Sequence, residues 1–467
     1  MDFPVFHLDF FGNRLLIAVI AVFHVFVNHP LAVGAMPLIT ALEWWGMRKA
    51  DERWDRLAYR ILLVCFILTT SVGALSGVGI WLSTSLVNPA AIGSLIRVFF
   101  WAWFAEWIVF VLEVVLIMVY FLTWKRMRDR KGAHVAIGVA LSLFSWLTMA
   151  IITAILGFMM APGSWLAAQS FLSGVFNPIY LPQLAFRTPL AMVTAATFAM
   201  FLVFFFTRRD GELRRGAVRF VSLWTLAWLP LAAVGSLWYW RVVPDWMRAN
   251  VPVALTTQDF TRWHGLVAWS LATMVGVLLL TSLLGTVRPT WVPRALLVVP
   301  FVVSLATLAY FERAREFIRK PYVIGSYMYA NGIREVDYPL LQEEGVLAHA
   351  AYVSVRTVEP ANRVEAGREV FRVACTRCHT TTGVNGVVRR LTRLYGAGAW
   401  DRDTVKAYLS SMHTARPFMP PAPGSDVELG ALADYLLNLQ GQPLALEGAQ
   451  VAGVTLTPAA TAAVAAP

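Results

Sequence analysis

Two cysteines and a histidine stand together in the run Cys375-Thr376-Arg377-Cys378-His379. This C-x-x-C-H spacing puts two thiols on one turn, where each can form a thioether to a haem vinyl group. The adjacent imidazole then reaches the iron. A zinc or dithiol site would use the same thiols, but no second C-x-x-C pair exists to complete a zinc site. A thioether for the opposite side of the iron is available in Pro417-Phe418-Met419-Pro420-Pro421, a stiff loop, with Met412 and His413 as nearby alternatives. The remaining cysteine, Cys65, lies inside an apolar run and reads as a small packing residue.

A second set of ionisable residues sits inside or at the ends of long apolar runs, where charge is costly and each case raises a functional question. These are His24, His29, Glu106, Glu113, His264, Glu312 and Glu316, the last followed by Arg319-Lys320-Pro321-Tyr322. Glu106 and Glu113 are seven residues apart, hence two turns along one helix face. Imidazoles ligate haem iron, and carboxylates ligate high-spin haem or carry protons. The plainer reading, solvation at a helix end, competes for His29, His264 and Glu312 more than for His24, Glu106 and Glu113.

The elements that position these residues follow from the apolar runs. The chain is 58% hydrophobic and 14% charged, with 19 Trp and 29 Phe, more apolar surface than one soluble core could hide. Eight spanning segments are expected at roughly 14–43, 61–82, 97–122, 134–160, 188–207, 217–240, 263–286 and 294–312. The basic residues behind the net charge of +11 cluster in alternate loops, at 48–60, 125–131, 208–215 and 288–294. That is the pattern of cytoplasmic loops, so both termini are expected outside, and nucleic acid is not an expected partner. Covalent haem c is attached outside the bacterial cytoplasmic membrane, so the position of the C-x-x-C-H motif after the last segment agrees with that orientation. The expected organisation is a transmembrane bundle over 1–312, a polar and aromatic connector along the membrane surface over 313–360, a compact domain over 361–442 and a disordered tail over 443–467. The fold class is all-α throughout.

The tail domain resembles the small class I cytochrome c fold over about 80 residues, with amphipathic helices at Glu365–Val373 and Leu429–Leu439 flanking the motif. By that resemblance Met419 is the distal iron ligand. The membrane half, roughly 10–330, resembles subunit I of the cytochrome bd-type quinol oxidases. Arg14 with His24 ten residues on, then Pro30 and Gly34, is similar to that family's first helix with its haem-ligand histidine. Glu106 and Glu113, followed by Trp124, are similar to its buried carboxylate pair, at a spacing one residue shorter. Asn177-Pro178 resembles the lead-in to its fifth helix. The run Glu316-Phe317-Ile318-Arg319-Lys320-Pro321-Tyr322 is similar to its late Glu-x-x-Arg-x-Pro-aromatic motif, which implies that Glu316 ligates a high-spin haem.

The departures from the family matter as much. Its low-spin haem uses a histidine in the fifth helix and a methionine in a later one. Here those positions read Phe186-Arg187-Thr188 and Arg262-Trp263-His264, so the usual pair is missing and His264 is an open candidate. The long external loop of the quinol site is reduced to about 22 residues, 241–262, and the family's ninth helix gives way to the cytochrome c domain. These changes imply an oxidoreductase fed by a soluble cytochrome c or similar donor through one covalent haem c. Electrons then reach one to three haems of type b or d in the membrane, and oxygen is reduced, with Glu113 as proton carrier. The alternatives are a quinol:cytochrome c oxidoreductase component and a non-enzymatic electron relay. The resemblance also implies a second membrane subunit, a lipid environment and a bacterial inner-membrane location.

Overall fold

The structure, a computed structural model, describes residues 3–256 and 266–440. Seven helices are long and apolar enough to cross a bilayer: α1 (Asn13–Lys49), α2 (Glu52–Val87), α3 (Pro89–Thr123), α4 (Arg128–Met160), α5 (Tyr180–Phe206), α6 (Gly211–Val242) and α7 (Leu266–Val287). The expected eighth segment is the helix α8 (Val299–Ile318), whose last turns carry Glu312, Arg315 and Glu316. Their charge accounts for its lower apolarity.

Burial separates the roles of these helices. The most apolar stretch of α5 is 72% buried, whereas that of α3 is 11% buried. Helix α5 is therefore the central post of the bundle, while α3 turns Trp101, Phe104 and Trp107 outward, as lipid or another membrane helix requires. Small residues let α1 and α5 approach closely. A Cβ on Gly34 would lie 2.0 Å from the carbonyl oxygen of Ala191, so only glycine fits there. Gly34 closes a π-helical stretch, Asn28–Gly34, that interrupts α1 below His24 and re-aims the side chains on either side of it.

Chain contacts divide the protein into two compact units, one of residues 18–85 and 89–335, the other of 1–17, 86–88 and 336 onward. In the first, a short antiparallel hairpin, β1 (Tyr322–Ile324) and β2 (Met328–Tyr329), follows α8. The second contains α9 (Tyr338–Glu344), α10 (Arg363–Ala374), α11 (Val387–Tyr395), α12 (Arg402–Ala415) and α13 (Asp426–Asn438). Its core joins Val370 and Phe371 of α10 to Leu432 and Tyr435 of α13. Helix α13 begins with a capping box in which Ser425 and Glu428 satisfy each other's backbone N–H groups. The Glu428 carboxylate also accepts hydrogen bonds from the N–H groups of Val346 (2.7 Å) and Leu347 (2.9 Å), tying the segment before α10 to the domain.

Candidate haem sites

Helix α10 delivers the thiols. It closes with the Cys375 N–H donating to the Phe371 carbonyl, and the next turn closes with the Cys378 and His379 N–H groups donating to the Cys375 carbonyl, at 3.0 and 2.9 Å. All three reactive side chains thus leave from a single turn, and the two sulfurs are not bonded to each other. Asn385 organises the turn from the far side. Its side-chain amide donates to the Cys378 carbonyl (2.6 Å), and its own carbonyl oxygen lies 3.2 Å from His379 Nδ1. An Nδ1–H donating to that carbonyl fixes the tautomer and leaves Nε2 as the metal-binding nitrogen. Burial pushes the His379 imidazole down to about 4, which keeps it neutral, the form that ligates iron. Arg377, between the cysteines, is half-buried, with its buried Nε unpartnered among the described residues, a place suited to an anionic propionate. The residues fit a covalently attached haem.

Across this domain, the Met419 carbonyl accepts a 2.5 Å hydrogen bond from His413 Nδ1, and the Met419 N–H donates to the Arg416 carbonyl at 2.8 Å. Met412 packs against the hydrophobic core. The segment before α1 wraps the loop beyond His379. The Asp9 carboxylate accepts from the Thr381 N–H (2.7 Å) and hydroxyl, and the Val384 N–H donates to the Phe10 carbonyl at 3.1 Å. Burial alone would raise the Asp9 carboxyl, but hydrogen bonds from His7 and Thr381 outweigh it and hold the group at about 2.

In the bundle, His24 on α1 has Ser76 Oγ of α2 at 3.0 Å from Nδ1 and Asn28 Nδ2 at 2.8 Å. Asn28 Nδ2 also lies 3.3 Å from Nε2, so Ser76 and Asn28 together fix the position of the ring between α1 and α2. On α3, the Glu113 carboxylate accepts from Ser145 Oγ (2.8 Å) and Thr148 Oγ1 (2.9 Å) of α4. Glu106 lies on the same face of α3, two turns away. Near the end of α8, Glu316 pairs with Arg319 and with Lys320 (3.2 Å), and Glu312 is held by Arg315 at 2.7 Å. His29 is buried with its Nε2 unpartnered among the described residues, beside Gln183 and Arg187 of α5. His264 lies outside the described residues.

One constellation carried little signal in the sequence. Glu43 near the end of α1 and His134 of α4 are both fully buried, 2.6 Å apart, and Lys131, Asp55, Tyr120 and Trp124 surround them. A carboxylate directly before Trp44-Trp45 and a histidine at the start of an apolar run are the only hints, and neither indicates the other.

Residues 13–239 match the family model for cytochrome bd terminal oxidase subunit I. Over those residues the membrane half is similar to that family. Residues 362–436 match the family model for cytochrome C oxidase, cbb3-type, subunit III, and form a cytochrome c domain. The fold resembles the structure of bd oxidase from Geobacillus thermodenitrificans, at 17% identity over 68% of this chain and 88% of that one, with a TM-score of 0.57. Comparison with curated proteins gives no match. The protein is thus a multi-pass membrane haem oxidoreductase with a bd oxidase-like membrane half and a cytochrome c domain. The family also implies haem b or d in the bundle.

Proposed function

We propose that the protein is a terminal oxidase that takes electrons from a soluble cytochrome c, or a similar one-electron redox protein, and reduces oxygen to water. The observation that carries this reading is the haem c attachment turn at Cys375, Cys378 and His379, built into the same polypeptide as a bd-type bundle. The short connection at 241–262 supports it, because it leaves little chain for a quinol site of the family's kind. The overall reaction balances: four electrons from four donor molecules and four protons convert one oxygen molecule to two waters.

One haem c and one to three haems of type b or d supply electron storage and an oxygen-reactive iron when bound. Cys375 and Cys378 anchor the haem c, and His379 and Met419 hold its iron. Packing of Met412 against the core supports the choice of Met419 over Met412. In the bundle His24 and Glu316 are the iron ligands, Arg319 neutralises charge beside Glu316, and Glu106 with Glu113 hold protons near the reacting oxygen. Buried carboxyls suit that task because the neutral form is stable there. The alternation of basic loops supports placing the cytochrome c domain on the extracytoplasmic face of a bacterial inner membrane. Lipid surrounds the bundle, and the exposed aromatic face of α3 suits a second membrane subunit.

Oxygen uptake by the purified protein tests the proposal. Uptake is expected with reduced soluble cytochrome c as donor, and its loss is expected in a Cys375→Ser, Cys378→Ser double variant. Reduction of the haem c by a quinol analogue, with no uptake from either donor, would replace this reading with a quinol:cytochrome c oxidoreductase.

A further inference from the structure

Three protonatable residues recur at seven-residue intervals on α3: Glu106, Glu113 and Tyr120. Seven residues are nearly two turns, so the three lie along one stripe at intervals of about 10 Å. The Tyr120 end of the stripe meets the buried cluster around Glu43. The Tyr120 hydroxyl donates to Glu43 Oε2 at 2.7 Å, Lys131 Nζ lies 2.9 Å from Glu43 Oε1, and Lys131 in turn contacts Asp55 at 2.5 Å. Exposure is graded along this series: the Asp55 side chain is 25% exposed, Lys131 16% and Glu43 0%.

The Glu43–His134 contact requires one shared proton. His134 Nε2 lies 2.9 Å from the Tyr120 backbone carbonyl, which only accepts, so Nε2 carries a hydrogen. Nδ1 faces Glu43 at 2.6 Å. A hydrogen bond there needs one proton, held either as imidazolium beside carboxylate or as carboxylic acid beside neutral imidazole. Either way the pair holds one proton. The route onward is polar. Thr40 Oγ1 donates to the Met36 carbonyl at 2.8 Å, and a Cβ on Gly138 would lie 2.5 Å from that hydroxyl oxygen and 3.0 Å from the Tyr120 ring, so the glycine keeps the space between them open. Farther along α4, Ser145 and Thr148 already bind Glu113.

We propose that the Glu43–His134 pair is the entry port of a proton path to Glu113, filled from the basic, cytoplasmic side through Asp55 and Lys131 and drained through Tyr120. This rests on the reading of Glu113 as a proton carrier. The proton balance is simple: one proton leaves the pair toward Glu113, and one from solvent replaces it by way of Lys131 and Asp55. Hydroxyls of Thr40, Ser145 and Thr148, with intervening water, bridge the intervals of the stripe. The same cluster also clamps α1, α3 and α4 together, so loss of activity in a variant cannot by itself identify the port.

The test uses the intact, haem-loaded protein and infrared redox-difference spectroscopy after a jump into deuterated water. The signal is the protonated carboxyl band that a Glu113→Gln variant removes. Its exchange half-time is expected to lengthen at least about tenfold in Glu43→Gln and in Tyr120→Phe, and to return to near the wild-type value in Glu43→Asp. Tyr120→Phe preserves the packing, and unchanged haem spectra certify each variant. Exchange as fast as wild type in both variants, or no such carboxyl band in the wild type, would overturn the proposal. A wild type inert to oxygen would instead remove the oxidase reading and leave the exchange result standing.

Discussion

His379 Nδ1 points at the backbone carbonyl of Asn385, 3.2 Å away, while the Asn385 side chain holds the carbonyl of Cys378 at 2.6 Å. One residue therefore fixes both the tautomer of the haem-binding imidazole and the turn that carries the second thiol. Asn385 adopts a left-handed conformation, φ 60°, which asparagine tolerates better than alanine. Asn385→Ala is expected to cost about 1–3 kcal/mol, from two lost hydrogen bonds, to the Cys378 carbonyl and from Arg390 (3.1 Å), plus backbone strain. Guanidinium unfolding followed at the haem c Soret band checks this, and an unchanged midpoint would contradict it.

Glu428 gives a larger effect by the same kind of argument. Its buried carboxylate accepts from three backbone N–H groups, those of Val346, Leu347 and Ser425. Glu428→Ala leaves all three without their acceptor and removes half of the capping box of α13, so a loss of about 3–5 kcal/mol is expected. Proteolysis of the segment before α10 should accelerate together with the fall in the unfolding midpoint.

Acid should release the segment before α1 from the cytochrome c domain. The Asp9 carboxyl sits at about 2 in the folded protein, below its ordinary value of 3.8. A depressed folded value contributes stability that is present above the unfolded value and is lost as pH falls from about 4 through 2. Asp9→Asn should flatten that part of the stability curve. Hydrogen exchange at the Thr381 and Val384 amides, measured between pH 5 and 2.5 with correction for intrinsic rates, reads it directly.

Close packing at Gly34 makes a different prediction. Any side chain there meets the Ala191 carbonyl at 2.0 Å, so Gly34→Val forces α1 away from α5 or distorts both, at a cost of about 1–3 kcal/mol or more. His24 lies on the same helix, so retention of membrane haem through detergent extraction should fall. Full retention would show that α1 tolerates displacement.

How much of this was legible in the sequence varied with the range of the interaction. The Cys375–His379 motif and the long apolar runs declare themselves because covalent attachment and bilayer thickness impose local patterns. The ends of α10 and α13 also lay close to the expected helices. What depends on distant chain was hidden: Glu43 and His134 are 91 residues apart, and Asp9 and Thr381 are 372 apart. The π-helical stretch at Asn28–Gly34 left no periodicity to read, since it is shorter than any window over which a helical period is counted. His264, named as an open candidate from its neighbours in sequence, lies outside the described residues.

The central claim is an oxygen-reactive haem in the bundle supplied through haem c, and an optical spectrum of the purified protein tests it most directly. The reduced-minus-oxidised spectrum should contain haem c bands together with a b- or d-type signal, and carbon monoxide should shift that second signal while leaving the c bands in place. His24→Ala or Glu316→Gln should diminish the shifted component and spare the c bands. Haem c accompanied only by b haem that ignores carbon monoxide would contradict the account and leave an electron-transfer module with no site for oxygen.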